Sequence, residues 1–317
     1  MEESKIPLIA VVGPTASGKT SLAVELCKRY NAEAVSCDSM QIYKGMDIAT
    51  AKPTTEEMQG IPHHLIGFVS PDEAFSVARY CETAKEIIND IHGRGKKAVL
   101  VGGTGLYYSS LTDNIEFLSE ETDFEYREML KKRAEEHGAQ VLLDELNEID
   151  PEAAKQLHVN NLGRIIRALE IHHTTGKTKT IQNEESRKNP SRFKTIAICL
   201  DARDRQFLYN RINKRVDIML ENGLLEEAKA FFESPLGRTA KQAIGYKELD
   251  SFFKGEKSLE ECIENLKMQT RRYAKRQLTW FRRDEKIKFL YIDDYTSTDN
   301  LVEAACEIIE RSVADEG

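Results

Sequence analysis

One eight-residue run constrains this chain more than any other: Gly13-Pro-Thr-Ala-Ser-Gly-Lys-Thr satisfies G-x-x-x-x-G-K-[ST] at every fixed position. It lies between Leu8-Ile-Ala-Val-Val, which reads as a strand, and Ser21-Leu-Ala-Val-Glu-Leu-Cys-Lys, which reads as a helix. The spacing has a physical reason. Gly13 and Gly18 let the backbone turn successive N–H groups inward onto phosphate oxygens, with Pro14, Thr15, Ala16 and Ser17 wrapped between them. The helix beginning near Lys19 adds the positive end of its dipole. Lys19 brings a charge to the terminal phosphate, and Thr20 offers a hydroxyl to Mg²⁺. ATP is the default ligand of such a loop.

The order of elements extends this start. A second apolar piece, Ala32 to Cys37, ends at Asp38, and a helix is predicted over roughly Val77 to His92. A buried strand, Ala98-Val-Leu-Val, then runs into Gly102-Gly-Thr-Gly. Strands alternating with helices predict an α/β fold, a P-loop NTPase-like parallel sheet core. Between Phe117 and Lys194 the alternation stops, and only helix signals appear: a capping box at Thr122-Asp-Phe-Glu, Asp150-Pro151 at a helix start, and a helix from Leu162 to near Gly176. Lys177 to Pro190 reads as a loop. Strand character returns at Thr195 to Leu200 and again at Ile287 to Ile292, after a long helix from Leu259 to about Arg283. The simplest organisation is a catalytic core of 1–116 and 195–317 with an inserted α-helical domain at 117–194.

The loop lacks a usual companion. A strand-end aspartate for Mg²⁺ is expected after Val101, but Gly102-Gly-Thr-Gly stands there, and the acid appears instead as Asp38. Ligands of open α/β sheets sit at the carboxyl ends of the strands, so Asp38, Thr104 and the phosphate loop should share one cleft. Asp38 can hold a metal, cap its loop, or act as general base to a nucleophile that displaces a pyrophosphate.

Composition narrows the partners. Hydrophobic residues make up 40% and charged residues 31% of 317, with no apolar run near the ~20 residues of a membrane helix. The start of the chain has no signal-peptide pattern, so a cytoplasmic protein is expected. Six scattered cysteines without C-x-x-C, and His63-His64 and His172-His173 without a spaced third ligand, suggest neither disulfides nor a zinc site. The net charge of −8 argues against nucleic acid, yet Arg271 to Lys288 holds eight basic residues against two acids. No heptad pattern or long apolar face calls for a second copy, and a monomer is expected.

Seven segments, in order, resemble the tRNA dimethylallyltransferases, prenyltransferases that modify the adenine 3′ of the anticodon. They are the phosphate loop, Asp38-Ser-Met-Gln, Gly102-Gly-Thr-Gly-Leu-Tyr, Arg164-Ile-Ile-Arg-Ala-Leu-Glu, Arg211-Ile-Asn-Lys-Arg-Val-Asp, Ala243-Ile-Gly-Tyr-Lys-Glu and Lys275-Arg-Gln-Leu-Thr-Trp-Phe-Arg. The resemblance implies dimethylallyl diphosphate on the phosphate loop with Mg²⁺, and a flipped adenine whose exocyclic amine attacks the allylic carbon. It implies that Asp38 takes the amine proton, that Thr104 positions the adenine and pyrophosphate, and that Asp38, Ser39, Met40 and Gln41 meet the tRNA. It also places the helix of Arg164 and Arg167, with the Arg127 region, against the tRNA. No zinc-finger pattern follows the last helix, as in the bacterial form.

Arg211 and Arg215 share one helical face and read either as solvated charges or, in this setting, as a clamp on pyrophosphate or RNA phosphate. On the terminal helix, Leu259, Ile263, Leu266, Thr270, Tyr273, Gln277 and Trp280 follow one stripe. A glutamine there, beside the only tryptophan and among Lys275, Arg276 and Arg282, suits an RNA site; a satisfied core glutamine is the alternative. Competing activities are a small-molecule P-loop kinase, an adenylate prenyltransferase acting on free nucleotide, and a non-enzymatic RNA-binding protein. A kinase would not need the basic terminal helix; that helix and the helical insertion count against the adenylate enzyme, and Asp38 and Thr104 in one cleft count against the non-enzymatic reading.

Overall fold

The computed structural model describes residues 5–115, 123–233 and 240–314. Six parallel strands form one sheet in the order β3-β2-β4-β1-β5-β6. They are β1 Ile6–Val12, β2 Ala32–Ser36, β3 His63–His64, β4 Lys97–Gly102, β5 Phe193–Asp201 and β6 Lys288–Tyr291. The central strands are apolar on both faces: Leu8, Ala10 and Val11 of β1, Val99 and Leu100 of β4, and Ile198 and Leu200 of β5 are buried. A parallel sheet covered on both faces requires this. The register sets Val12 beside Gly102 and Cys199. The loops leaving β1, β2 and β4 therefore emerge together along one edge, where open α/β sheets bind ligands.

Three details depart from the sequence expectation. β3 was not foreseen, because two residues after a proline carry no periodicity; His64 Nε2 lies 2.8 Å from the buried Glu33 carboxylate. β5 starts at Phe193, before Thr195, since Ile6 N–H donates to Arg192 O and draws that chain into the sheet. The predicted loop from Lys177 contains the helix Lys179–Ser186, capped by Thr178 Oγ1, which accepts from Ile181 N–H. That helix buries no residue and so shows no apolar face in sequence. It is tied instead by Thr180, whose N–H and hydroxyl donate to the Asp150 carboxylate at 2.9 and 2.7 Å.

The chain divides into two compact units, one built from 1–112 and 191–317 around the sheet, the other from 113–190. The second unit is helical, and its core joins Leu130, Leu142, Leu146, Ile165 and Leu169. Thr122 of the expected capping box lies outside the described residues; Asp123 Oδ1 accepts from Tyr126 N–H at 2.9 Å and opens the helix Phe124–His137.

A charge is buried in this unit. The Glu170 carboxylate has no exposed surface and accepts from Arg127 (2.8 and 2.7 Å), Arg167 (2.5 Å) and the Asp123 N–H (3.0 Å). Burial pushes its pKa up, but the bonds from Arg127 and Arg167 outweigh that and hold it below the usual carboxylate range. A buried carboxylate is tolerated only when so paired. Arg127 and Arg167, expected against the tRNA, spend part of their guanidiniums on Glu170, and their side chains keep 24% and 36% exposure. Arg164, on the same helix, is exposed.

Candidate active site

β1 delivers the chain into the phosphate loop with strict geometry. Gly13 has φ +138, and a Cβ there would stand 2.5 Å from Leu200 O on β5. Ala16 and Gly18 also have positive φ, and the helix Lys19–Tyr30 begins at Lys19. The loop is braced from inside by Ser17 Oγ and Lys19 Nζ, which both donate to Pro14 O, at 2.9 and 2.5 Å. Arg211 Nε donates to Ala16 O at 2.8 Å, from the helix Arg205–Glu221.

The neighbouring loops are stitched to it. Thr104 N–H donates to Cys37 O at 3.1 Å, and Thr104 Oγ1 accepts from Ser39 N–H at 3.0 Å. Gly102 lets these strands approach, since a Cβ there would sit 2.2 Å from Cys37 O. Asp38 Oδ1 accepts from Met40 N–H (2.9 Å) and, more weakly, Gln41 N–H (3.4 Å). The carboxylate therefore caps its own loop with one oxygen, while Oδ2 takes no hydrogen bond from the described residues.

Gln277 spans the site from the helix Leu259–Phe281. Its Oε1 accepts from Thr15 N–H and its Nε2 donates to Gly103 O, both at 3.0 Å. Both ends of the amide are bonded inside the protein, as in the core-glutamine alternative, and Gln277 couples the phosphate loop to the β4 loop. One turn on, Trp280 lies against Gly105, where a Cβ would fall 2.2 Å from its indole ring. Arg282, also expected at RNA, pairs at 2.7 Å with the buried Asp201 carboxylate at the end of β5. Lys275 and Arg276 are exposed, and Arg276 lies 5.7 Å from the centre of the Tyr273 ring.

These parts surround a cleft of about 770 Å³. Thr15, Ala16, Gly18, Lys19 and Thr20 line it together with Asp38 to Gln41, Arg211, Arg215, Arg276 and Gln277. Gly13, Pro14 and Ser17 form the loop behind this wall, and Thr104 reaches it through Ser39. Apolar side chains, among them Met40, Ile48, Ile212, Val216, Met219 and Ile244, complete the lining. Sequence reasoning passed over Glu227 and Asp201. Asp201 had a signal, an acid closing an apolar strand; Glu227 had none.

The charges are set for a polyanion. Burial, with Arg215 nearby, pushes the Lys19 ammonium down to about 8, against the opposing pull of Asp38. Burial likewise lowers the pKa of the Arg215 guanidinium, and Arg211 adds to that, while Glu57 and Asp38 oppose it. Cations destabilised by one another are relieved when an anion arrives. Below pH 8 Lys19 already carries its proton. Above it, anion binding must bring a proton in, so pyrophosphate affinity falls about tenfold per pH unit until the raised pKa of the complex is reached. Calorimetry with inorganic pyrophosphate from about pH 7 to 9.5 checks this against Lys19→Arg, whose charge does not titrate; parallel curves would contradict it.

No group of three or more His, Cys, Asp or Glu side chains among the described residues forms a cage for a metal ion. A metal ion bound in the cleft would take most of its ligands from waters and from an anionic ligand, with a single hydroxyl from the protein. Thr20 lines the cleft, and its hydroxyl makes no hydrogen bond to the described residues.

Residues 41–284 match the family model for IPP transferases. A tRNA dimethylallyltransferase of Caldanaerobacter subterraneus subsp. tengcongensis is 50% identical over 308 residues, 96% of this chain and 98% of the relative. One from a Thermoanaerobacter species is 51% identical over 300 residues, covering 93% and 95%. Among solved structures, the full-length tRNA isopentenylpyrophosphate transferase of Bacillus halodurans superposes with a TM-score of 0.73 at 43% identity, covering 98% of both chains. A eukaryotic dimethylallyltransferase acting on tRNA gives 0.81 at 30% identity, over 96% of this chain and 80% of the other. Family model, near-full-length relatives and fold agree, and the chain belongs to the IPP transferase family, that of the tRNA dimethylallyltransferases.

Proposed function

We propose that this protein transfers the dimethylallyl group of dimethylallyl diphosphate to the exocyclic amine of the adenine 3′ of the anticodon in tRNA, releasing pyrophosphate. The observation that carries this is one cleft in which a phosphate loop with Lys19, Arg211 and Arg215 faces the strand-end carboxylate Asp38. The bond from the allylic carbon to the diphosphate oxygen breaks as the bond from the adenine nitrogen forms. The electron pair leaves with the pyrophosphate, whose growing charge meets the loop amides, Lys19 and the two arginines. The nitrogen loses its proton to Asp38, whose Oδ2 is available while Oδ1 keeps the loop in place. Mg²⁺, held by Thr20 and phosphate oxygens, would supply further neutralisation of the leaving group.

The adenine must leave its stack to reach Asp38, which costs least in a single-stranded loop. Lys275 and Arg276, exposed on the terminal helix, and Arg164, exposed on the helical unit, are among the described side chains that can meet RNA phosphates. The test incubates the protein with Mg²⁺, unmodified bacterial tRNA and radiolabelled dimethylallyl diphosphate, with AMP and ATP in parallel. Label in tRNA alone is the expected result. Label only in free nucleotide would reassign the protein to an adenylate prenyltransferase, and ATP hydrolysis without transfer would make it kinase-like.

A further inference from the structure

We propose that Glu227 is a positioning residue for this reaction, a clasp that fixes the cleft wall Asp47–Ala51 and thereby sets the grip of Arg215 on the diphosphate. The inference rests on the transfer reaction proposed above. The wall belongs to no strand or helix; Ala51 N–H bonds within it, to Ile48 O at 2.9 Å, while the N–H groups of Asp47, Ile48 and Ala49 need a partner outside it. Its successive N–H groups converge on one carboxylate. Asp47 and Ile48 donate to Glu227 Oε2, both at 2.8 Å, and Ala49 donates to Oε1 at 2.9 Å.

The carboxylate is itself braced. The Tyr246 hydroxyl donates to Oε1 at 2.8 Å, and Tyr246 is fully buried with its ring stacked 4.0 Å from Phe231, one turn further along the helix Leu224–Phe232. Gly245 presses on the wall, where a Cβ would stand 2.8 Å from the Ala49 Cβ. The stretch Ala243 to Glu248, one of the segments shared with the family, thus serves as the back of the clasp.

The far end of the wall touches Arg215 and Gln41. Ala51, in the left-handed region at φ 51, presents its carbonyl to Arg215 Nη2 (3.4 Å) and to Gln41 Nε2 (3.0 Å). Gln41 Nε2 also donates to Thr50 O at 3.2 Å. Arg215 faces the diphosphate and Gln41 belongs to the Asp38 loop, so one short turn links Glu227 to both. A left-handed alanine persists only where its surroundings hold it. Releasing the Glu227 end frees the Ala51 carbonyl to drift from Arg215.

Glu227→Gln keeps the size and one acceptor oxygen, but sets an NH₂ group against backbone N–H donors. The expected result is a KM for dimethylallyl diphosphate about tenfold higher, with kcat and the KM for tRNA changed less than about threefold. Tyr246→Phe shifts the same KM in the same direction by about threefold. Mass-spectrometric amide exchange shows faster exchange at Asp47–Ala49, and calorimetry shows inorganic pyrophosphate weakened by the same factor as the KM. Faster exchange with unchanged pyrophosphate affinity would overturn the coupling. So would a fall in kcat alone, or a uniform loss that follows a lowered melting temperature. The pyrophosphate arm is independent of the acceptor. Weakened pyrophosphate in a protein that labels no tRNA would sink the transfer reaction and leave the clasp standing. A wild-type enzyme that labels tRNA, matched in both readouts by Glu227→Gln, would sink the clasp alone.

Discussion

Asp38→Asn is expected to lower kcat by about a thousandfold while leaving tRNA affinity within about threefold, a loss in the range a positioned general base provides. Asparagine is the informative replacement because Asp38 has two jobs on two oxygens. Oδ1 caps the turn by accepting from Met40 and Gln41 N–H, and an asparagine carbonyl can do the same. The Thr104–Ser39 bond and the Cys37 contacts behind it should therefore survive, and with them the mouth of the cleft. What asparagine cannot do is accept the proton of the attacking amine. Single-turnover transfer with prebound, labelled dimethylallyl diphosphate separates this step from binding. A kcat within about tenfold of wild type would remove Asp38 from proton transfer and leave it as a loop cap.

The sequence made this residue visible for a simple reason. An acid directly after a buried strand must lie at the carboxyl edge of the sheet, and the phosphate loop must lie there too. Contiguous motifs are legible because their chemistry demands fixed residues at fixed spacing, as in Gly13 to Thr20. Partnerships between distant residues are not. Gln277 stood out as a polar group in an apolar stripe, but its partners, the Thr15 N–H and Gly103 O, lie 262 and 174 residues away along the chain. Without them a base reader and a satisfied core amide fit the sequence equally.

The arginines hide partners in the same manner. The pairing of Arg127 and Arg167 with Glu170 is not legible in sequence, because Glu170 looks like any helical glutamate until burial is known. Arg282 likewise hides its bond to Asp201. Glu227 was invisible in the opposite sense, since nothing in Gly223-Leu-Leu-Glu-Glu distinguishes it from Glu226 beside it. The strand His63–His64 and the helix Lys179–Ser186 escaped for want of a pattern, one being too short for a period and the other lacking an apolar face.

Lys19→Ala is the counterpart of the Asp38 variant at the other end of the cleft, and it should fail differently. Lys19 meets the diphosphate twice, as bound substrate and as departing pyrophosphate carrying an extra negative charge. A charge-assisted bond to the ground state predicts a KM for dimethylallyl diphosphate about a hundredfold higher. The stronger interaction with the leaving group predicts an additional fall in kcat of about tenfold to a hundredfold. Arg211 and Arg215 remain in the cleft and preserve some binding, which is why the loss is not total. The tRNA side is untouched, so its KM should stay within about threefold. Lys19→Arg restores charge without restoring shape: the wild-type ammonium is a compact point charge 2.5 Å from Pro14 O, and a guanidinium is larger and planar. It should recover part of the binding and little of the rate. Steady-state kinetics on both variants decide the matter. Wild-type constants in Lys19→Ala would mean that the loop does not grip the diphosphate. A loss confined to KM would mean that it holds the substrate but does not stabilise the charge that leaves.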